Sequence, residues 1–333
     1  MPFGIRLDVW ARRFATGLGC AAVLGLAPQA GLAADYPNRP ITLVVPSTPG
    51  GGTDTQARIL ADRMAQLLGQ PIVVDNRGGA SGNIGAQFVS KAPADGYTLL
   101  AMISSHVINP YVLKSVPYDI DRDFAMITRT VTTPEVLVGH PSVPAKNLPE
   151  LIAYLKANPG KVAFSSGGTG SLSHLVIELF SQTAGVSMQH VPYRATQQAM
   201  TDVLAGHVSL MAPDLAIALQ QIRSGGLRSF GVSSATRSAA APDLPTLAES
   251  GLPGFEAVQW FGLAAPAGTP PDIIKKLFAA AHQALNEPAV KEKYGAAGMT
   301  SAPSASPEDY AKFVREEGLR WRKVVQEAHI EAQ

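Results

Sequence analysis

The stretch Ile41–Leu68, ITLVVPSTPGGGTDTQARILADRMAQLL, reads as strand, glycine-rich loop and helix. Ile41–Val45 is a continuous apolar, β-branched run, which suits a strand buried on both faces. Pro46, Pro49, Gly50, Gly51 and Gly52 cannot continue it and force an open loop. Thr53 with Gln56 three residues on has capping-box spacing and predicts a helix from near Thr53. Ala57, Leu60, Ala61, Met64, Leu67 and Leu68 recur at helical spacing and form its apolar face. Free backbone N–H groups and the positive end of a helix dipole then sit at the end of a buried strand, where a small anion can bind. The same glycines serve a plain tight turn, and the loop alone does not separate the two. A nucleotide phosphate is disfavoured: Thr53 and Asp54 follow Gly52 where a Walker loop needs lysine, and Thr55 stands where a dinucleotide fingerprint needs its third glycine.

Upstream, Arg6, Arg12 and Arg13 precede the apolar run Phe14–Ala27 and the small residues Gly31–Ala34. This order predicts a cleaved export signal over residues 1–34 and a periplasmic protein with no direct membrane insertion. Cys20, the only cysteine, falls inside that signal, and Gly17 stands where a lipoprotein signal needs leucine. The mature chain therefore has no disulfide and no thiolate metal site. The full chain carries 27 basic and 26 acidic residues; loss of Arg6, Arg12, Arg13 and Asp8 leaves 24 against 25. A near-neutral surface argues against nucleic acid or an anionic membrane as partner. About 300 mature residues are enough for two domains.

Downstream, the pattern of apolar strand, loop and amphipathic helix repeats. Pro71–Val74 is a second strand, followed by the glycine-rich turn Asp75–Asn83; Tyr97–Ile103 is a third, ending in Ser104, Ser105 and His106. The opening logic returns at Lys161–Phe164, the loop Ser165–Ser171 (SSGGTGS) and a helix with the apolar face Leu172, Leu175, Val176, Leu179 and Phe180. Alternation of this kind predicts an α/β protein with parallel sheets covered by helices. Two anion-accepting loops in separate α/β units point to a ligand held between two lobes. Helices are expected at 147–158, 195–205, 215–224, 270–286, 288–296 and 306–328. Ser166, His174 and Asp214 lack the Gly-x-Ser-x-Gly elbow of a hydrolase, and no His/Asp/Glu group has metal-ligand spacing. The expectation is a binding protein with no catalytic residue, metal or cofactor.

Specific segments also carry a family likeness: Tyr36–Ile41 (YPNRPI), Pro49–Asp54 (PGGGTD), Asn76-Arg77 with Gly82–Ala86, Ala94–Leu99 (ADGYTL), Pro117–Asp119 and Asn158–Lys161. Ser165–Gly167 with Ser173–Leu175, His190–Tyr193, Asp243–Thr246, Gly251–Gly254 and Ala265–Pro270 extend it to the whole mature chain. In these segments the chain resembles the Bug-type extracytoplasmic solute receptors, the substrate-binding proteins of tripartite tricarboxylate transporters. The resemblance implies a type II periplasmic-binding-protein fold, with lobe 1 over 35–136 plus 234–333, lobe 2 over 137–233, and a two-crossing hinge near Glu135–Gly139 and Leu227–Ser233. It implies a small carboxylate ligand (dicarboxylate, aromatic acid or amino acid), integral-membrane transporter subunits as partners, and a monomer. A sensor presenting the bound carboxylate to a membrane signalling receptor is the alternative.

Candidate ligand contacts are Thr48, Gly50, Gly51, Gly52, Thr53 and Asp54 in the first loop, and Ser104, Ser105 and His106 after the third strand. In the second lobe they are Ser166, Gly167, Gly168, Thr169, Ser171 and His174, with Tyr193, Arg194 and Asp214. Bland roles are open for several: His174 bonding its own loop, His106 packing, Asp214 capping the helix 215–224 or selecting a ligand amino or hydroxyl group. Arg77 is expected in an ion pair, and Tyr36 and Trp260 in the core. Arg194-Ala195-Thr196 and Met211–Asp214 depart from the family pattern, so no particular ligand transfers.

Overall fold

The computed structural model describes residues 36–193 and 196–332. The expected signal, 1–34, and the candidate Arg194 lie outside the described residues. The chain alternates as read: β1 (Ile41–Val45), α1 (Gly52–Leu68), β2 (Ile72–Asn76), α2 (Asn83–Ser90), β3 (Thr98–Ile103), α3 (Ser105–Val112) and the long β4 (Phe124–Pro134). Then follow β5 (Val136–Gly139), α4 (Leu148–Ala157), β6 (Ala163–Ser166), α5 (Leu172–Ala184), β7 (Gln189–Pro192), α6 (Thr196–Leu204), β8 (Leu210–Met211), α7 (Leu215–Arg223) and β9 (Arg228–Val232). The last part is β10 (Val258–Pro266), α8 (Pro271–Asn286), α9 (Pro288–Ala296), β11 (Thr300–Ser301) and α10 (Pro307–Glu327).

Two sheets result, ordered β11-β4-β10-β3-β1-β2 and β7-β6-β8-β5-β9. Both are mixed rather than parallel. β1 runs parallel to β2 and β3, and β6 to β7 and β8. β10 is antiparallel to β3 and β4, and β5 to β8 and β9. The antiparallel strands are those next to a change of sheet: β4 leads out of the first sheet into β5, and β9 leads back to β10. A strand that enters from the other sheet need not follow the direction set by the βαβ units.

The two crossings are fastened together at Ser233, which is fully buried. Its hydroxyl accepts from the Glu135 N–H at 2.9 Å and donates to the Ala257 carbonyl, while its own N–H donates to the Glu135 carbonyl at 2.8 Å. α10 runs along the back, where the Trp260 and Trp321 indoles both donate to the buried Glu317 carboxylate, at 3.2 and 3.0 Å. Tyr36 and Trp260 are core residues, as expected. Fully buried side chains of the size of Leu43, Leu60 and Phe164 contribute about 1.5–3 kcal/mol each.

The predicted cap of α1 is not formed. Gly51 occupies the cap position and no side chain caps the helix there. Gln56 is turned inward, where its Oε1 accepts from Thr130, and the third residue of the helix, Asp54, supplies a carboxylate instead. Asn147 does cap α4, accepting from the Glu150 N–H at 3.0 Å.

Candidate functional site

A cavity of about 500 Å³ lies between the two sheets. Three elements build it. Lobe 2 contributes the β6–α5 loop and the first turn of α5: Gly167, Thr169, Gly170, Ser171, Leu172 and Ser173. The first sheet contributes the β2–α2 turn with Gly79, Ser81 and Gly82, and Ser105 and Asn109 of α3. Glu135, Asp214 and Gln259 lie where the chain crosses.

The β6–α5 loop is held from within. Ser171 caps α5, its Oγ accepting from the His174 N–H. The Gly167 N–H donates to Ser173 Oγ at 3.0 Å, the Gly168 N–H to Ser166 Oγ at 3.1 Å and the Gly170 N–H to His174 Nδ1 at 3.1 Å. Behind them Ser166 Oγ meets His190 Nε2 at 2.7 Å, and the His190 ring stacks on His174 with centroids 3.8 Å apart. Burial, and secondarily the neighbouring His174, hold the His190 pKa down at about 4. The N–H groups of Thr169, Leu172 and Ser173 have no acceptor among the described residues. They stand at a helix N-terminus facing the cavity, so they are available to a ligand anion.

The β2–α2 turn has an unusual backbone. Gly79, Ala80, Ser81 and Gly82 have φ of 119°, 48°, 55° and 89° in succession. Two non-glycine residues in this region cost about 1–2 kcal/mol each, so the surroundings must hold them. Asn109 Nδ2 donates to the Ser81 carbonyl at 3.0 Å and to Asn83 Oδ1 at 2.7 Å. His106 Nδ1 accepts from the Ile103 N–H, which leaves Nε2 to donate to the Gly82 carbonyl at 3.3 Å. Burial, partly offset by that bond, lowers the His106 pKa to about 4, so the ring is neutral near pH 7. A Cβ on Gly82 would lie 2.9 Å from His106 Nε2. The Gly79, Ala80 and Ser81 N–H groups have no acceptor among the described residues. A turn of left-handed residues gathers its N–H groups into an anion-accepting concavity. Strained backbone of this kind points to a functional turn.

At the crossing, Glu135 and Asp214 face each other across an isolated antiparallel bridge. Glu135 is 6% exposed, and its Oε2 is buried without a hydrogen-bond partner. Burial, reinforced by the Asp214 charge, raises its pKa well above the ordinary carboxyl value. Asp214 caps α7, Oδ1 accepting from the Ala216 N–H at 2.8 Å; burial pushes its pKa up to about 6 against that bond.

Of the residues singled out from sequence, Ser105, Gly167, Thr169, Ser171 and Asp214 line this cavity. Ser166, Gly168 and His174 stand behind them as supports, and His106 supports the β2–α2 turn. Ser104 is buried and donates to Gln259 Oε1 at 2.8 Å. The Tyr193 hydroxyl donates to Asp202. Thr48, Gly50, Gly51, Gly52, Thr53 and Asp54 do not line the cavity. The Gly50 N–H there donates to the Asp54 carboxylate at 2.9 Å, which also accepts from Arg58 at 2.9 Å and Asn76 at 2.9 Å. Arg77 pairs with Asp75 at 2.7 Å and lies over the Phe88 ring. Glu135, Gly79, Ser81, Asn109 and Gln259 were not foreseen. The signal for Glu135 was one acid set between Pro134 and the apolar run Val136–Val138.

Residues 56–330 match the family described as tripartite tricarboxylate transporter family receptor. BugT of Bordetella pertussis is 40% identical over 314 residues, spanning 92% of this chain and 96% of that protein. The structure of R. palustris Rpa4515 with adipate is similar at a TM-score of 0.78 and 35% identity, covering 90% of this chain and 100% of that one. MatC from Rhodopseudomonas palustris with bound malate is similar at 0.71 and 32%, covering 87% and 100%. The matched family is one of transporter receptors, not of enzymes.

Proposed function

The chain belongs to the receptor family of tripartite tricarboxylate transporters, and on that premise we propose that it captures a small carboxylate in the periplasm and hands it to membrane subunits of such a transporter. The observation that carries this reading is the pair of N–H clusters, at the N-terminus of α5 and in the β2–α2 turn, both facing one cavity with no acceptor among the described residues. Hydrogen bonds to a charged group are worth roughly 1.5–3 kcal/mol each. A carboxylate bridging both clusters therefore favours lobe closure, with 35–136 plus 234–333 moving against 137–233 about Glu135 and Ser233. The cavity volume is in the range of small-molecule sites. The similar structures with adipate and malate hold ligands of this class. Among the described residues no helix is long and apolar enough to cross a membrane.

Calorimetry and thermal denaturation with four- to six-carbon carboxylic acids and their amides test the proposal. An acid present at about 100 times its Kd should stabilise the fold by about 2.7 kcal/mol, and its amide should not. Equal effects of acid and amide, or no binding by any acid, would overturn it.

A further inference from the structure

Glu135 is held in place by its backbone. Its N–H donates to Ser233 Oγ, its carbonyl accepts from the Ser233 N–H, and the next N–H, of Val136, donates to the Pro213 carbonyl at 2.9 Å. The side chain lines the cavity, with Asp214 facing it across the bridge. The two acids are not equivalent. Asp214 Oδ1 accepts from the Ala216 N–H in the first turn of α7, so a negative charge there has a partner. Glu135 Oε2 is buried with no partner, and a charged oxygen in that state costs more than a neutral one. Burial first, and the Asp214 charge second, keep the proton on Glu135 near neutral pH, while Asp214, with a pKa of about 6, carries the charge. The charged groups on the surrounding elements are engaged elsewhere. Arg129 of β4 donates to the Ala302 carbonyl, Arg228 of β9 to the Val143 and Ala145 carbonyls, and Arg223 of α7 to the Ala240 carbonyl. Asp202 of α6 accepts from the Tyr193 hydroxyl. From β10 the cavity receives the neutral Gln259.

We propose that Glu135 binds the ligand as a neutral acid, donating its hydroxyl hydrogen to the anion, so that the receptor holds one proton for each carboxylate it captures. This rests on the carboxylate reading above and deepens it. The N–H clusters are permanent donors, whereas a carboxyl group donates only while protonated. An acid kept neutral by burial can serve an anion in this way. Once ionised, Glu135 would instead meet the ligand as a like charge. The ligand therefore raises the hold of Glu135 on its proton, and the proton raises the hold on the ligand by the same factor. Where the free protein has lost that proton, the O–H bond is remade on binding with a proton from a buffer acid, and affinity falls by up to about tenfold for each pH unit.

The test is calorimetry on the purified protein with pentanoate, glutarate, malate and adipate, all ionised from pH 6.5 upward. Triethanolamine and Tris at pH 7.5 differ in ionisation enthalpy and are not anions, so the difference in binding heat between them counts the protons taken up. For the acids that bind, uptake should be about 0.3 proton or more per ligand, and Kd should rise about tenfold or more from pH 6.5 to 8.5 in bis-tris propane. Glu135→Gln keeps a donor that needs no added proton. It should remove most of the pH dependence and bind about tenfold more tightly than the wild type at pH 8.5, a gain that loss of a merely structural residue would not give. Glu135→Leu, with no donor, should bind about tenfold more weakly than Glu135→Gln at both pH values. No uptake and a flat Kd in the wild type, the result that a cation paired with Glu135 would give, overturns the proton and leaves the receptor reading intact, whether or not the variants fold. A pH dependence that survives Glu135→Gln does the same. Failure of all four acids to bind overturns both.

Discussion

The β1–α1 and β6–α5 loops are nearly the same sentence in sequence: a buried strand, a run of glycines and hydroxyls, and a helix. They end differently in space. The third residue of α1 is Asp54, whose carboxylate takes the Gly50 N–H, Arg58 and Asn76. Burial works against that charge but is outweighed by those three partners, which hold the Asp54 pKa at about 2. The third residue of α5 is His174, which turns back to the Gly170 N–H, and the cap is the neutral Ser171. One helix N-terminus carries its own anion; the other leaves the N–H groups of Leu172 and Ser173 open to the cavity. A glycine loop before a helix is therefore an anion site only when the first turn of that helix does not already contain the anion.

The largest effect should come from making the second loop like the first. Ser173 lines the cavity, and its Oγ already accepts from the Gly167 N–H at 3.0 Å. Ser173→Asp keeps that acceptor and sets a negative charge at the helix N-terminus, where it favours the helix. The protein should fold normally by circular dichroism, and carboxylate affinity by calorimetry should fall about 100-fold or more, as like charges meet in a site shielded from water. The reciprocal Asp54→Asn should change affinity by less than about twofold while lowering stability by about 1–2 kcal/mol through lost charge-assisted bonds. Affinity that responds to Asp54→Asn and not to Ser173→Asp would reverse the assignment of the two loops.

Gly50 and Gly170 sharpen the same contrast at a smaller scale. Both have left-handed backbone, with φ of 85° and 76°. A Cβ on Gly50 would meet nothing within 4 Å, whereas one on Gly170 would lie 2.7 Å from Cβ of Val112 on α3. That second contact joins elements of the two sheets across the cleft. Alanine at either position should lower stability in urea by about 1 kcal/mol, the cost of a left-handed non-glycine residue. Only Gly170→Ala should also weaken carboxylate binding, by about tenfold, because a branched side chain cannot give way and the lobes are held apart. Equal affinities for the two variants would remove the α5 loop from the closing surface.

The order of strands and helices was legible because apolar runs, glycines and caps are local signals; Asn147 before α4 and Pro271 at the start of α8 are instances. The direction of β10 was not, because it depends on where a strand re-enters a sheet already built by others. Ser105, Gly167, Thr169, Ser171 and Asp214 were legible as loop-end polar residues in an α/β chain. The left-handed turn was noticed as glycine-rich, but Ala80 and Ser81 carry no sign of their φ in their side chains. What holds them is the distant trio His106, Asn109 and Tyr118, brought under the turn only by folding. The Thr53–Gln56 pattern misled for a related reason: Gln56 found a better partner in Thr130, 74 residues away.

Acid should separate the two loops by a smaller, graded effect. The β6–α5 loop is backed by imidazoles and the β1–α1 loop by a carboxylate. His190, under Ser166 of the β6–α5 loop, and His106, under Gly82 of the β2–α2 turn, both have folded pKa values of about 4, below the value near 6.5 of an unfolded histidine. Their contribution is complete above pH about 6.5 and declines as pH falls toward 4, because the unfolded state takes up the proton first. His174 is stacked on His190 and meets Glu178 at 3.4 Å, and His106 packs edge-on to Tyr118. Asp54 has a folded pKa of about 2 against an ordinary value of 3.8, so its contribution is complete above 3.8 and lost only as pH falls toward 2. Between pH 6.5 and 4, then, the loop that faces the cavity loosens while the loop with its own anion holds. Amide hydrogen exchange at pH 7 and 4.5, expressed as protection factors, should show Gly168 and Gly170 losing protection while Gly50 keeps it. If the Gly50 amide opens first, the anion held by α1 is not what stabilises that loop, and the contrast between the two helix ends fails.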